Sequence, residues 1–242
     1  MYKERHAWYF LTLPAILLLV FSLMPAVWAL FLSFTTYNVF QPTEWIGLEN
    51  FRKAISDDLF IKSLMNTFYY WVLATPALVI LPVFLAVLVN QKIPMIKLFQ
   101  LTYYFPFLVS VVVTALLWNM MFREQGVINY LLSWFGIDPI GWLTSSVTAM
   151  PSIGLITIWQ GLGYYMLIYL AGLQAIPTDL YEAAEIDGAG FWRKQLYVTF
   201  PMLKAIIFFV TIVSTLSAFK EFTLMMVMTE GGPLYATTTV VY

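Results

Sequence analysis

Five stretches of 15 or more residues contain no aspartate, glutamate, lysine or arginine, and this feature most restricts the fold. They cover residues 7–43, 63–91, 98–122, 139–178 and 205–219. A helix needs roughly 20 mostly apolar residues to cross the hydrocarbon layer of a membrane. The fifth stretch is interrupted by Lys220 and Glu221 and resumes over residues 222–228. Because backbone groups in lipid must be satisfied within the segment, we predict an all-α polytopic membrane protein.

The composition excludes several other classes of protein. Charged residues make up 10% of the chain and hydrophobic residues 61%, whereas a soluble domain is about 25% charged. Such a chain cannot cover a water-exposed surface, which excludes a cytosolic enzyme. The net charge of -1 leaves no basic field for nucleic acid, and there is no cysteine. With His6 as the single histidine, we expect no metal site and no catalytic residues.

The spans are predicted at about residues 8–34, 64–90, 98–122, 151–173 and 202–228, within one transmembrane domain over residues 1–242. A cleaved signal peptide is the alternative for the first run. The run is longer than the apolar part of a typical signal peptide and lacks a clear cleavage site. The chain ends in the run ATTTVVY, which resembles the start of another span.

Positive charges near the span ends predict the orientation, because cytoplasmic loops are enriched in lysine and arginine. A cytoplasmic N-terminus places seven basic residues inside and four outside. Those inside are Lys3, Arg5, Lys92, Lys97, Arg193, Lys194 and Lys204, and those outside are Arg52, Lys53, Lys62 and Arg123. We therefore predict a multi-pass protein of the cell membrane with its N-terminus in the cytoplasm.

One polar connection, residues 174–201, lies between the fourth and fifth predicted spans. It is longer than the usual 2–8 residues between neighbouring helices. Thr178 is a suitable N-cap, Gly188 and Gly190 interrupt the helix that follows, and Pro201 is predicted to start the next span. This pattern predicts two short helices joined by a turn outside the membrane. A solvated loop without a partner is the alternative that composition leaves open.

The same connection carries the pattern EAA, three residues, G, nine residues, and an apolar-x-apolar-proline end. It is formed by Glu182, Ala183, Ala184, Gly188, Val198, Phe200 and Pro201. The pattern resembles the EAA motif of permease subunits in binding-protein-dependent ABC importers, with Val198 and Phe200 in place of the usual Ile and Leu. The strings LQAIPTDLY, LENFRKAI and TEGGP are similar to those of the carbohydrate branch, which includes maltose-type and glycerol-phosphate-type permeases.

The resemblance implies the transmembrane domain of a type I (MetI-like) ABC importer, with a coupling helix that docks in a cleft of an ATPase subunit. The implied coupling residues are Glu182, Ala183, Ala184, Asp187 and Gly188. It also implies four kinds of partner: a second permease, two ATPase subunits, an extracytoplasmic sugar-binding protein and the sugar. Independently of the family, the chain lacks a phosphate loop for ATP, so ATP and magnesium are expected on partner subunits.

Polar groups on spanning helices are costly against lipid and are therefore candidates for substrate contacts. In the fourth and fifth spans they fall at helical spacing, which predicts two faces that meet at one cavity. Matched to the maltose-type site by distance from Glu182, the candidates are Thr157, Gln160, Gly161, Tyr164, Ser214, Ala218 and Glu221. Hydroxyls, an amide, a carboxylate and a ring suit a sugar. The alternative is that these small and polar residues pack helices against one another.

The sequence therefore favours a membrane-spanning permease subunit of an ATP-driven sugar importer. An ion-coupled secondary transporter of a small polar solute is the alternative, since Glu221 could relay protons. A membrane enzyme would need a nucleophile and base that the chain does not show. Permeases of this kind carry six spans, so we expect a sixth helix of about 20 residues beyond Tyr242.

Overall fold

The computed structural model describes the backbone of residues 2–38, 41–91 and 95–242, and the side chains of these residues apart from 2–9, 41 and 42. Lys92, one of the predicted cytoplasmic charges, lies outside the described residues. The described chain is mainly helical, as the charge-free runs predicted. It divides into two compact units, Met1–Ile61 and Lys62–Tyr242, where we had predicted one domain.

The first unit opens with the first predicted span. Helix α1, Tyr2–Leu18, continues through a π-helical turn, Leu19–Leu23, into α2, Met24–Leu32. Pro25 is the second residue of α2. Proline lacks an N–H and its ring displaces the carbonyl four residues earlier, which accounts for the wider turn just before it. The apolar part, Phe10–Leu32, is 23 residues long and has no buried residue.

A small hairpin and a short helix complete the first unit. Strands β1, Thr35–Asn38, and β2, Gln41–Trp45, pair antiparallel, which adds two strands to the predicted all-α fold. Helix α3 is Glu49–Ile55. The Asn50 Nδ2 donates to the carbonyls of Ser33 at 3.0 Å and Thr35 at 2.9 Å, so its amide ties α3 to the start of the hairpin.

The rest of the chain is mainly helical, and its long helices lie where the remaining spans were predicted. The helices are α4 Asp58–Val89, α5 Ile96–Leu108, α6 Val111–Met121, α7 Val127–Ser133, α8 Ala149–Gln174, α9 Thr178–Ile186, α10 Phe191–Lys194, α11 Phe200–Phe219 and α12 Thr223–Thr229. In the described part of the chain, four helical segments are long and apolar enough to cross a membrane, or five if the bent pair α5–α6 counts as one span.

Two predicted spans differ from the structure. The third, residues 98–122, is not one helix, because α5 and α6 are bent by 94° at Val109 and Ser110. The fifth, residues 202–228, breaks after Phe219 and continues as the separate helix α12. Pro201 does not start a new helix either: a π-helical turn, Gln195–Thr199, joins α10 to α11 without a break.

Helix α8 is the centre of the second unit. Its buried residues include Ile153, Ile156, Met166 and Tyr169, each with no exposed surface. Its glycines let neighbouring helices approach closely: a Cβ on Gly163 would overlap the Tyr103 carbonyl of α5 and lie 2.7 Å from Tyr104 Cα. Helices in lipid associate mainly through van der Waals packing, and small residues at a crossing allow their backbones to come close enough for it.

Candidate coupling helix and translocation residues

Helix α9 carries the EAA motif on an exposed surface. Pro177 is the N-cap, one residue earlier than the predicted Thr178, and the acidic Asp179 lies in the first turn, where the helix dipole favours it. Glu182 and Ala183 are exposed and Ala184 is partly buried. The large apolar side chain of Ile186 is 87% exposed at the end of the helix. This surface presents small, acidic and apolar groups together.

Gly188 is required by the way α9 ends. Its φ is +74°, a left-handed conformation that costs a residue with a Cβ roughly 1–2 kcal/mol. The Gly188 N–H donates to the Glu185 carbonyl at 3.0 Å, and the Ala189 N–H donates to the Ala184 carbonyl at 2.8 Å. These two bonds form a Schellman motif, which satisfies the last carbonyls of the helix. The glycine of the EAA motif therefore has a structural reason as well as its predicted docking role.

The charges of this region are only partly neutralised. Lys194 of α10 pairs with Glu185 at 2.5 Å, and this is the one ion pair among the side chains that the structure describes, which exclude those of residues 1–9, 39–42 and 92–94. Glu182 and Asp187 are thus exposed carboxylates without a basic partner in the described chain. A basic surface on another subunit would complement them.

The four candidates on α8 contact α4, α5 and the bend between α5 and α6. Gln160 Nε2 donates to the Val109 carbonyl at 3.1 Å and to Thr114 Oγ1 at 3.4 Å. Tyr164 stacks on Phe107 with ring centroids 4.5 Å apart. The remaining two face α4: a Cβ on Gly161 would lie 2.9 Å from Leu78 Cδ2, and Thr157 Oγ1 bonds the Tyr70 hydroxyl at 2.7 Å.

The candidates near the end of α11 are engaged within their own segment. Ser214 is buried and donates to the Val210 carbonyl at 2.7 Å, and Ala218 is buried in the apolar core. Glu221 lies beyond the end of α11, so the helical spacing that placed it on one face does not apply. Its Oε1 accepts the Leu224 N–H at 2.9 Å and caps α12.

Thr157 bonds a residue that the sequence analysis did not select. Tyr70 of α4 is fully buried, and its hydroxyl lies 2.7 Å from Thr157 Oγ1. Trp71 Nε1 donates to Thr215 Oγ1 of α11 at 3.0 Å. Both aromatics belong to the second predicted span, from which the sequence analysis selected no candidate. Their hydroxyl and indole N–H were the available signal, because such groups find partners when they are buried.

The contacts of these candidates lead to different neighbours rather than to one another. Thr157 bonds Tyr70 of α4 and Glu221 accepts from Leu224 of α12, whereas Gln160 and Tyr164 contact the α5–α6 side of the bundle. Within the described residues, no group of three or more histidine, aspartate and glutamate side chains could hold a metal ion. The hydroxyl of Thr157, the amide of Gln160 and the ring of Tyr164 are the kinds of group that bond or stack on a solute.

Comparison with known proteins places the chain in a family. The model described as "Binding-protein-dependent transport system inner membrane component" matches residues 55–242. The chain belongs to this family. The permease is 36% identical over 228 residues to the arabinooligosaccharides transport system permease protein AraP of Halalkalibacterium halodurans, covering 93% of this chain and 72% of that protein. It is 35% identical over 243 residues to the lactose transport system permease protein LacF of Rhizobium radiobacter, with 98% and 81% covered.

A solved structure gives the same result for the fold. The permease superposes with a TM-score of 0.82 at 27% identity on a chain of a bacterial ABC transporter involved in the import of the acidic polysaccharide alginate, covering 98% of this chain and 81% of that one. The predicted fold, a MetI-like importer domain in the membrane, is confirmed. Family membership also confirms the transport interpretation and gives no support to the ion-coupled carrier.

Proposed function

We propose that the permease forms half of the translocation pathway of an importer driven by ATP hydrolysis, and that its substrate is an oligosaccharide or a polyol. The relatives named for arabinooligosaccharides and lactose support the substrate class. In this proposal the N-terminus lies in the cytoplasm, and a second, similar permease completes the pathway. An extracytoplasmic binding protein delivers the sugar, as the alginate transporter with its substrate-bound periplasmic protein suggests.

The observation that carries the proposal is the exposed surface of α9. Glu182, Ala183 and Asp187 are exposed, unpaired and held at the end of a helix whose termination is fixed by Gly188. A short rigid helix with small residues fits a groove on another protein. We assign this surface to contact with an ATPase subunit, two of which would bind ATP and magnesium. The chain itself then acts as a transport subunit without an enzymatic site.

Blocking this surface should separate the permease from its ATPase subunits. We expect Ala183→Trp to lower ATPase co-purification at least tenfold, because an indole in place of a methyl group prevents close docking in a groove. The matched control is Ala175→Trp, at another exposed alanine just after α8. Co-purification with both variants is measured from detergent-solubilised membranes. Full ATPase recovery with Ala183→Trp would contradict the coupling assignment.

The stacked pair Tyr164–Phe107 is the aromatic surface that we assign to the sugar. Tyr164 is partly buried and Phe107 is exposed, so part of the stacked pair remains accessible on the α5–α6 side of the bundle. Thr157 and Glu221 are proposed to supply further polar contacts. Gln160, Gly161, Ser214 and Ala218 complete the proposed substrate set, acting through their packing around this surface. Aromatic rings offer a sugar a flat apolar face, while hydroxyls and carboxylates bond its hydroxyl groups.

Removing the ring of Tyr164 should weaken substrate handling. We expect Tyr164→Leu to raise KM for uptake about tenfold, whereas Tyr164→Phe, which keeps the ring stacked on Phe107, should stay within about twofold of the wild type. Uptake of radiolabelled arabinotriose, lactose and maltose is measured in cells that contain the complete importer. An unchanged KM for Tyr164→Leu with the transported sugar would remove Tyr164 from the site.

A further inference from the structure

Helix α9 is attached to the membrane-entering helix by polar bonds at two points. The Tyr181 hydroxyl bonds Thr199 Oγ1 at 2.9 Å, and Glu185 pairs with Lys194. Tyr181 and Glu185 are four residues apart on α9, so they lie on the same face, one turn from each other. Their partners belong to the segment that leads into α11. Two attachment points on one face hold a short helix against both translation and rotation.

The Tyr181 bond is part of a chain of hydrogen bonds. Thr199 has no exposed surface, and its hydroxyl also donates to the Lys194 carbonyl at 3.5 Å. With that carbonyl accepting from Thr199, the Tyr181 hydroxyl is the donor to Thr199 Oγ1. The Lys194 carbonyl is five residues before Thr199, so the Thr199 hydroxyl bonds across the wider spacing of the π-helical turn Gln195–Thr199. The bond from α9 therefore ends within the irregular turn itself.

Close packing alone does not fix α9 in this position. Tyr181 and Lys194 line a cavity of about 330 Å³ next to Asn90 and Gln91, just beyond the end of α4. On that side the pair of helices α9 and α10 faces open space instead of core side chains. The ring of Tyr181, like Val198 and Phe200, packs against the apolar core cluster. This contact holds the ring in place, and the hydroxyl makes the bond to Thr199.

We propose that Tyr181, Thr199, Glu185 and Lys194 form a clamp that makes α9 and the start of α11 move as one body. The inference rests on the proposed docking of α9 to an ATPase subunit. When the ATPase subunits close, the clamp passes the displacement of α9 through the π-helical turn into α11. Tyr181 and Thr199 are positioning residues: they touch neither nucleotide nor sugar, and they set how much of the movement reaches the span.

The test uses the assembled importer in proteoliposomes, because the permease lacks cysteine and accepts a single reporter. Ser217→Cys, an exposed position on α11, is labelled with a fluorescent maleimide with and without ATP. We expect Tyr181→Phe and Thr199→Val each to reduce the ATP-dependent change in labelling rate about fivefold, the scale of one neutral hydrogen bond. The double variant should be no worse than either single one, since both remove the same bond.

The control is Tyr197→Phe, which removes a hydroxyl from a side chain that is 79% exposed in the same turn, and it should behave as the wild type. ATPase co-purification and ATP hydrolysis are measured on every variant and should be retained. A full ATP-dependent labelling change in Tyr181→Phe would overturn the clamp while leaving the docking of α9 intact. Loss of ATPase binding in Tyr181→Phe would also overturn it, because the bond would then shape the docking surface.

The ion pair provides an independent check. Charge reversal of both partners, Glu185→Lys with Lys194→Glu, should restore the labelling change that either single reversal diminishes. Failure of the double reversal to recover the change would remove the ion pair from the clamp. If wild-type α9 itself does not bind the ATPase subunits, the Ala183→Trp experiment reports this separately, and both proposals fall.

Discussion

Replacing Gly163 by alanine is expected to lower the free energy of unfolding of the permease by about 3 kcal/mol, the upper end of what overpacking usually costs. The added Cβ would overlap the Tyr103 carbonyl and come within 2.7 Å of Tyr104 Cα. Both are backbone atoms of α5, so the clash is relieved only if the whole helix moves away from α8. Thermal unfolding in detergent measures the effect.

Gly161→Ala is the matched control on the same helix. Its added Cβ would meet Leu78 Cδ2 at 2.9 Å, the end of a flexible side chain that can turn aside. Alanine also has a helix propensity about 1 kcal/mol better than glycine, so we expect this variant to be nearly as stable as the wild type. Equal stability of the two variants would show that α5 and α8 are not in close contact at Gly163.

Replacing Asn129 by leucine is expected to cost about 3 kcal/mol of unfolding free energy, because it removes the centre of a buried hydrogen-bond network. Asn129 is 3% exposed. Its amide group donates to the carbonyls of Arg123, Glu124 and Ile140 and accepts from the Ile140 N–H and the Trp142 indole. The leucine side chain makes none of these bonds, so the Ile140 N–H and the Trp142 indole lose their acceptor and the loop between α6 and α8 loses its order.

The same change at Asn119 serves for comparison. Asn119 is partly buried and its side chain makes one bond, to the Met228 carbonyl at 3.0 Å, so Asn119→Leu should cost about 1 kcal/mol. Unfolding is followed by tryptophan fluorescence, which also reports on Trp142. An Asn129→Leu variant no less stable than Asn119→Leu would mean that water or lipid headgroups replace the network.

The approximate positions of the long apolar helices could be predicted because charge is excluded from lipid. That rule applies to every residue of a span, so the spans can be found without knowing the tertiary contacts. The end of α9 was equally predictable, because Gly188 can adopt a left-handed conformation at little cost. In both cases the determining energy lies within a short stretch of sequence.

The breaks inside the third and fifth spans could not be predicted in the same way. Val109 and Ser110 carry no charge, and the nearby Pro106 lies inside α5 without ending it, so the local sequence does not show where the helix bends. The bend is held by the amide of Gln160, which is 51 residues away in the sequence. Long-range hydrogen bonds of this kind decide between two conformations that the local sequence leaves nearly equal.

The candidate translocation residues show the same limit. Spacing along α8 correctly put Thr157, Gln160 and Tyr164 on one helix, but spacing cannot say which neighbour each side chain meets. The partner of Thr157 is Tyr70, from a helix on which the sequence analysis named no candidate. Glu221 was assigned to a helical face that ends before it. The charges of Lys220 and Glu221 were interpreted as an interruption within one span, whereas α11 stops at Phe219.

The bend at Val109 also imposes an order on biogenesis. Its carbonyl receives a hydrogen bond from Gln160, and an unsatisfied carbonyl in hydrocarbon costs several kcal/mol. A ribosome that delivers the chain from its N-terminus releases residues 98–122 to the insertion machinery before residue 160 has been synthesised. The third apolar segment must therefore wait beside the translocon, or enter the bilayer unbent, until the fourth arrives to complete it.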